Sequence, residues 1–121
     1  MELIDGEEWL YRRIIHYQYD EATGAIAASA FMRKKRLDPE VSVFLARLSN
    51  PHALLAAGLP GQRLVELKAK VAYEAELRVV SQPIPGLPGH CVIVGFASGM
   101  WKAQCLRLAE GSRLVNVSSR P

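Results

Sequence analysis

Three prolines within six residues constrain the fold of this chain more than any other feature. They lie in PIPGLPG and separate a β-prone stretch, LRVV, from an apolar and β-branched run, HCVIVGF. Because proline has no backbone N–H to donate to a sheet ladder, a strand that precedes this segment must end by Gln82. The sequence therefore predicts a strand at 77–82, a stiff surface loop, and a buried strand at 90–96.

Aromatic and β-branched runs predict further strands. WLYRRII favours a first strand at 9–15, with a short amphipathic helix from Glu7 as the alternative. The small apolar residues of GAIAASAFM, which follow a turn-rich connector, favour a strand at 26–32. VSVFLARL alternates at its start and is β-prone, which predicts a strand at 41–48. Pro39 interrupts any regular element just before it.

A short helix is predicted to follow directly. Asn50 suits the N-cap, Pro51 suits the first helical position, and Gly58 suits the C-terminal end. A helix this short must pack against the rest of the fold to be stable.

Two later segments are compatible with both strand and helix. In LVELKAKVAYEAEL (64–77) the apolar residues fit a period of two and also a helical stripe, and the composition is rich in helix formers. As a compromise we predict a strand at 63–68 and a helix at 69–76. The segment 100–108 fits a last strand or a helix, and residues 116–121 are predicted to fray.

Composition indicates one globular domain over residues 1–121, since half of the residues are hydrophobic and 22% are charged. The predicted elements make an α+β domain with a mixed or antiparallel sheet of about five strands and two short helices. No stretch reaches the length of a membrane span, and the acidic start MELIDGEEW is unlike a signal peptide. Two cysteines are too few for a disulfide scaffold, so we expect a cytoplasmic location and no membrane partner.

The sequence contains none of the common motifs for metal, nucleotide or covalent chemistry. C-x-x-C, H-x-x-x-H and H-E-x-x-H are absent, as are G-x-S-x-G, G-x-x-x-x-G-K and G-x-G-x-x-G. His90 and Cys91 are adjacent, and on a strand they would point to opposite faces, so they do not form a catalytic dyad. We therefore expect no metal and no cofactor, and we interpret both cysteines as small buried apolar residues.

Polar residues at the ends of predicted strands are the candidates for function. Arg12, Ser29 and His90 are the candidate catalytic residues. Arg12, Phe31 and His90 are the candidate ligand-binding residues. A polar residue that opens a buried strand after a rigid loop, as His90 does, is held in a fixed position. The alternative interpretation, which we favour, is a histidine that hydrogen-bonds the loop backbone.

One basic run supplies most of the positive charge. The net charge is +3, and the run contributes four cations, so the rest of the chain sums to about −1. These cations could hold nucleic-acid phosphates, but a lone cluster without interleaved aromatic residues is more typical of a solvated face. The run consists of Arg33, Lys34, Lys35 and Arg36.

The chain has two resemblances to known groups of proteins. The succession LYRRI, SAF, VSVFL, a short helix and then PxPxxPGHCVIVG, over about residues 9–95, resembles a group of small bacterial proteins without an assigned activity. That resemblance implies a bacterial, cytoplasmic, single-domain protein. The order of LYR, VFLA and the following helix is also similar to RES-type and ADP-ribosyltransferase toxins. This second resemblance implies that Arg12 faces the phosphates of NAD and that Glu110 is the catalytic acid, although the G-G-R-W segment of RES proteins is missing.

Three hypotheses for function follow. The first, to which we commit, is a binding or interaction module that acts through self-association or a protein partner. The alternative is a small NAD-consuming enzyme of the toxin type. A second alternative is RNA or DNA binding through the basic run.

Overall fold

The structure is a computed structural model that describes residues 2–32 and 40–117. The strands are β1 (Trp9–Ile15), β2 (Val41–Leu45), β3 (Gln62–Lys68), β4 (Arg78–Ser81), β5 (His90–Val94) and β6 (Arg113–Val115), and the α-helices are α1 (Pro51–Ala57), α2 (Ala69–Glu74) and α3 (Trp101–Glu110). Within these residues the strands form one antiparallel sheet of six, in the order β4-β5-β2-β1-β3-β6. The predicted α+β class is confirmed, with one strand and one α-helix more than expected.

Most of the predicted elements are present. The strand at 9–15 is β1, and the helix that begins after Asn50 is α1, whose Ala53 N–H donates to the Asn50 side chain at 3.1 Å. The ambiguous segment 64–77 resolves into the end of β3, the helix α2 and a turn, in agreement with the compromise.

Three predictions are wrong or incomplete. The strand expected at 41–48 ends at Leu45, and Ala46–Leu48 is a 3-10 helix. The expected strand at 26–32 is a 3-10 helix over Ala28–Phe31, because Phe31 is buried there beneath α3 instead of joining a ladder. The segment 100–108, whose sequence fits either a strand or a helix, belongs to the helix α3, and the short edge strand β6 was not predicted. Residues 118–121 lie outside the described part of the chain, so fraying there stays a prediction.

Helices cover both faces of the sheet unequally. The larger core lies under α2, α3 and the 3-10 helix, and its largest fully buried side chains include Leu10, Ile14, Leu67 and Phe31. A smaller core of Phe44, Leu54 and Leu64 lies on the other face, beneath α1. Because side chains alternate along a strand, these two cores fix which residues of β1, β2 and β5 face which side.

The proline-rich segment is the hairpin loop between β4 and β5. Its centre is a tight turn over Pro85 and Gly86, closed by hydrogen bonds between Ile84 and Leu87 in both directions, at 3.3 and 2.9 Å. Gly86 has a φ of 79°, which glycine adopts without steric cost. The stiff loop and the buried strand after it are therefore where the sequence predicts them.

The edge strand β4 is covered by the start of the chain. The Ile4 N–H donates to the Val79 carbonyl at 3.0 Å, and the Ser81 N–H donates to the Glu2 carbonyl at 2.8 Å. This pairing satisfies backbone groups that an open sheet edge leaves exposed. Among the described residues, no helix is both long and apolar enough to cross a membrane.

Candidate functional site

His90 lies at the start of β5 with both ring nitrogens engaged. Nδ1 is 2.8 Å from the Gln82 carbonyl oxygen, and Nε2 is 3.1 Å from the Ser42 hydroxyl. A carbonyl can only accept, so Nδ1 carries a proton and donates to it; with the second nitrogen unprotonated, Nε2 accepts from the Ser42 hydroxyl. The ring is buried and meets Phe44 edge-on, with centroids 5.5 Å apart. His90 thus links the loop to β2, which is the interpretation favoured from sequence.

Arg12 is occupied by the backbone of its own chain. Nε donates to the Ala30 carbonyl at 2.6 Å, and Nη1 donates to the Ser42 carbonyl at 2.7 Å. Its guanidinium carbon lies 5.5 Å from the centre of the Phe31 ring. These contacts hold the 3-10 helix against the sheet, because Ala30 and Phe31 both belong to that helix.

The structure joins Arg12 and His90 through Ser42 but keeps them on opposite faces of the sheet. Arg12 shares the face of Leu10 and Ile14, which belong to the larger core, whereas His90 pairs with Phe44 of the smaller core. Their side chains therefore do not converge on one cavity, although the sequence grouped them as candidates.

The remaining candidates lie apart from this network. Ser29 is exposed, and its hydroxyl accepts from the Gln18 amide at 3.4 Å. Glu110 is exposed at the last position of α3. The basic run of four cations, predicted as a nucleic-acid site, lies outside the described residues.

Both cysteines are buried free thiols. Burial raises the pKa of the Cys91 thiol to about 11, and burial also raises the pKa of Cys105. Each is therefore a neutral thiol at physiological pH, which is a poor nucleophile and a poor metal ligand. Across residues 2–32 and 40–117, no three His, Cys, Asp or Glu side chains gather into a group that could hold a metal ion.

The inner side of α3 is fixed firmly to the rest of the fold. The Gln104 amide donates to the Ala75 carbonyl at 3.0 Å, and its carbonyl accepts from the Ala97 N–H at 3.0 Å. The Cys105 thiol donates to the Phe31 carbonyl at 3.3 Å. The helix is therefore held in one orientation, which determines what its other side presents to solvent.

That other side, which we name the outer α3 surface, consists of Met100, Trp101, Lys102, Leu106 and Glu110. Its large apolar members are about half exposed: Met100 is 46% exposed, Trp101 40% and Leu106 48%. The Lys102 ammonium lies 5.5 Å from the centre of the Trp101 ring. The helix thus exposes three large apolar side chains, which point in different directions around its axis, and it carries an exposed charge near each end.

The charges of this surface have the wrong sign for their own helix. Lys102 is in the first turn, next to the positive end of the helix dipole, and Glu110 is at the negative end. The first turn contains no acidic residue, and the N-cap Met100 offers no side-chain cap. Lys102 and Glu110 therefore oppose the dipole of their own helix, whereas Arg107 in the last turn matches it.

A shallow cavity of about 280 Å³ borders the outer α3 surface. It lies between α3 and the end of α2 and is lined in part by Glu74, Glu76, Met100 and Arg107. Glu76 has a φ of 63°, the only non-glycine residue in the left-handed region among those described. Strained backbone of this kind is often found at functional sites.

Comparisons with family models, with curated proteins and with solved structures gave no match for this chain. The outer α3 surface must therefore be interpreted from its own chemistry.

Sequence reasoning missed this surface, although a signal for it was present. In MWKAQCLRLAE apolar residues occur all around the helix circumference, whereas a helix with one solvated side has a single apolar stripe. The surplus apolar residues, Met100, Trp101 and Leu106, are the ones that face solvent.

Proposed function

We propose that this chain is a non-catalytic protein-interaction module that binds through the outer α3 surface. The observation that carries the proposal is the exposure of Met100, Trp101 and Leu106 on one rigid helix. Tryptophan and methionine are enriched at protein interfaces, and three of the eight exposed large apolar side chains among the described residues lie in or directly before this one helix. By contrast, Arg12 and His90 make hydrogen bonds that brace the fold itself.

Preorganisation supports the same conclusion. Gln104 and Cys105 fix the inner side of α3, so binding would not have to order the helix. Association costs less when the binding surface is already rigid. We further propose that the module acts in the bacterial cytoplasm, where its two thiols stay reduced.

Leu106→Glu, with Leu59→Glu as a matched control, tests the proposal. Leu59 is 72% exposed on the loop between α1 and β3, far along the chain from α3. We expect Leu106→Glu to abolish every stoichiometric protein contact that the native chain makes, including contact with a second copy. Leu59→Glu should leave those contacts intact. Equal effects of both variants, or contacts that survive Leu106→Glu, would contradict the proposal.

The catalytic alternative is tested separately. A non-catalytic module leaves NAD unchanged when the protein is present in excess, and Arg12→Ala should alter stability and not NAD consumption. If the native chain consumed NAD and a folded Arg12→Lys variant did not, the result would favour the toxin-type enzyme.

A further inference from the structure

We propose that the outer α3 surface binds a second copy of the same chain, as an antiparallel helix pair with Leu106 on the two-fold axis. This inference rests on the proposed function of that surface and names its partner. A two-fold interface requires a patch that is complementary to itself. Three residues of α3 that are spaced four positions apart meet this requirement.

Lys102, Leu106 and Glu110 form one exposed ridge. They are spaced four residues apart, so they lie above one another on the same side of the helix, and all three are exposed. In an antiparallel pair centred on Leu106, Lys102 lies opposite the partner's Glu110, and Glu110 lies opposite the partner's Lys102. The two leucines meet between two ion pairs of opposite charge.

The same arrangement corrects the unfavourable helix ends. Each Lys102 would lie beside the negative end of the partner helix, and each Glu110 would lie beside the positive end of that helix. Lys102 and Glu110 oppose the dipole of their own helix, but in the pair they match the dipole of the partner helix. A conflict between local sequence and local structure is expected where a further interaction resolves it.

Other occupants fit less well. A parallel pair would place Lys102 against the partner's Lys102 and Glu110 against the partner's Glu110, which is repulsive. A uniformly acidic or uniformly basic peptide would meet one favourable and one unfavourable end of the ridge. Charge complementarity therefore favours an antiparallel copy of α3 itself.

The size of the contact sets the expected affinity. A helix of ten residues is about 15 Å long. Leu106 is the only large apolar side chain of the ridge, so such a pair buries less than the roughly 800 Å² per partner of a standard interface. We therefore expect a reversible dimer with a dissociation constant of roughly 1 to 100 μM.

Charge reversal tests the orientation. Lys102→Glu alone should weaken the dimer at least about tenfold, as should Glu110→Lys alone, because each creates two like-charge pairs. An equimolar mixture of the two single variants should form a mixed dimer with the native affinity, since every facing pair is again opposite. The double variant should also recover self-association. Sedimentation equilibrium over about 1 μM to 1 mM measures each constant.

Thermal unfolding of dilute samples separates a binding effect from a folding defect. Each single charge reversal improves the match to the dipole of its own helix, so Lys102→Glu and Glu110→Lys monomers should be at least as stable as the native monomer. Weakened dimerisation with unchanged or raised thermal stability supports the inference.

Two outcomes overturn it. A native chain that stays monomeric at 1 mM, or a dimer that ignores both charge reversals, excludes the antiparallel α3 pair. In either case, Leu106→Glu could still abolish contacts with other proteins while Leu59→Glu leaves them intact. That result would support the proposed function with a different partner. If Leu106→Glu has no effect either, the proposed function fails as well.

Discussion

Replacing His90 by phenylalanine removes two hydrogen bonds while keeping an aromatic ring against Phe44. In the native chain the imidazole donates to the Gln82 carbonyl and accepts from the Ser42 hydroxyl, at 2.8 and 3.1 Å. The phenyl ring can do neither, so both partly buried groups lose a partner. Each hydrogen bond lost in this way costs about 1 to 1.5 kcal/mol, which gives a loss of about 2 to 3 kcal/mol.

Urea unfolding followed by far-UV circular dichroism measures this loss as a change in the free energy of unfolding. The slope with denaturant should stay the same, because the fold and its buried area are retained. Ser42→Ala removes only the second hydrogen bond and should cost about 1 kcal/mol. Combined with His90→Phe, it should add almost nothing, since that bond is already absent.

A loss below about 0.5 kcal/mol in His90→Phe would refute this reasoning. It would mean that water replaces the histidine at both groups and that the ring does not hold the loop to β2. Additive losses in the double variant would likewise show that His90 and Ser42 do not act on each other.

Two further perturbations test particular features. Glu76→Gly should stabilise the chain by about 0.5 to 1 kcal/mol, because glycine tolerates the left-handed backbone just after α2. Glu74→Gly, at the last position of the helix, should instead destabilise it by up to about 1 kcal/mol. Thermal unfolding of both variants measures this, and stabilisation by neither or by both would refute it. Because the buried Cys91 thiol has its pKa raised to about 11, its contribution to stability should be constant up to about pH 8.5 and be lost as pH rises toward 11, since the unfolded thiol ionises first; Cys91→Ala should make the fall in urea titrations shallower without removing it, because burial also raises the pKa of Cys105, and an unchanged slope would show that other groups cause the fall.

Much of the fold could be predicted from the sequence because the residues that begin and end its strands and helices act locally. Prolines end β4 and open α1, and an asparagine caps that helix, so each boundary depends only on neighbouring residues. The segment 64–77 was also divided correctly, because the apolar residues alternate over 65–71 at its start and helix formers dominate its second half.

The errors came from contacts that are distant in sequence. Ala28–Phe31 is a 3-10 helix because α3, about seventy residues later, packs on Phe31. Composition alone favoured a strand there, and tertiary packing overrode it. The strand β6 has only three residues and depends on pairing with β3, so no local sequence pattern predicts it.

The candidate site shows the same limit more strongly. His90 could be selected from its place after a rigid loop, and even its role in holding that loop could be anticipated. Which apolar residues of α3 face solvent depends on where Gln104 and Cys105 attach the helix, and no sequence pattern states this.

The hairpin of β4 and β5 sets the order in which the sheet can assemble. Ser81 pairs with Cys91, ten residues later, whereas the other four pairings among the described strands join residues at least 33 positions apart, as Tyr11 and Phe44 are. Closing a loop of about 46 residues, as the pairing of Phe44 with His90 requires, costs about 1.4 kcal/mol more than closing one of ten.

The proline-rich loop lowers the cost of that first step further, because prolines restrict the unfolded chain before any strand forms. Folding should therefore begin at the hairpin, and β2 should be captured later. The hydrogen bond between Ser42 and His90 can form only when β2 pairs with β5. Its formation during folding therefore marks the assembly of the centre of the sheet, after the hairpin has formed.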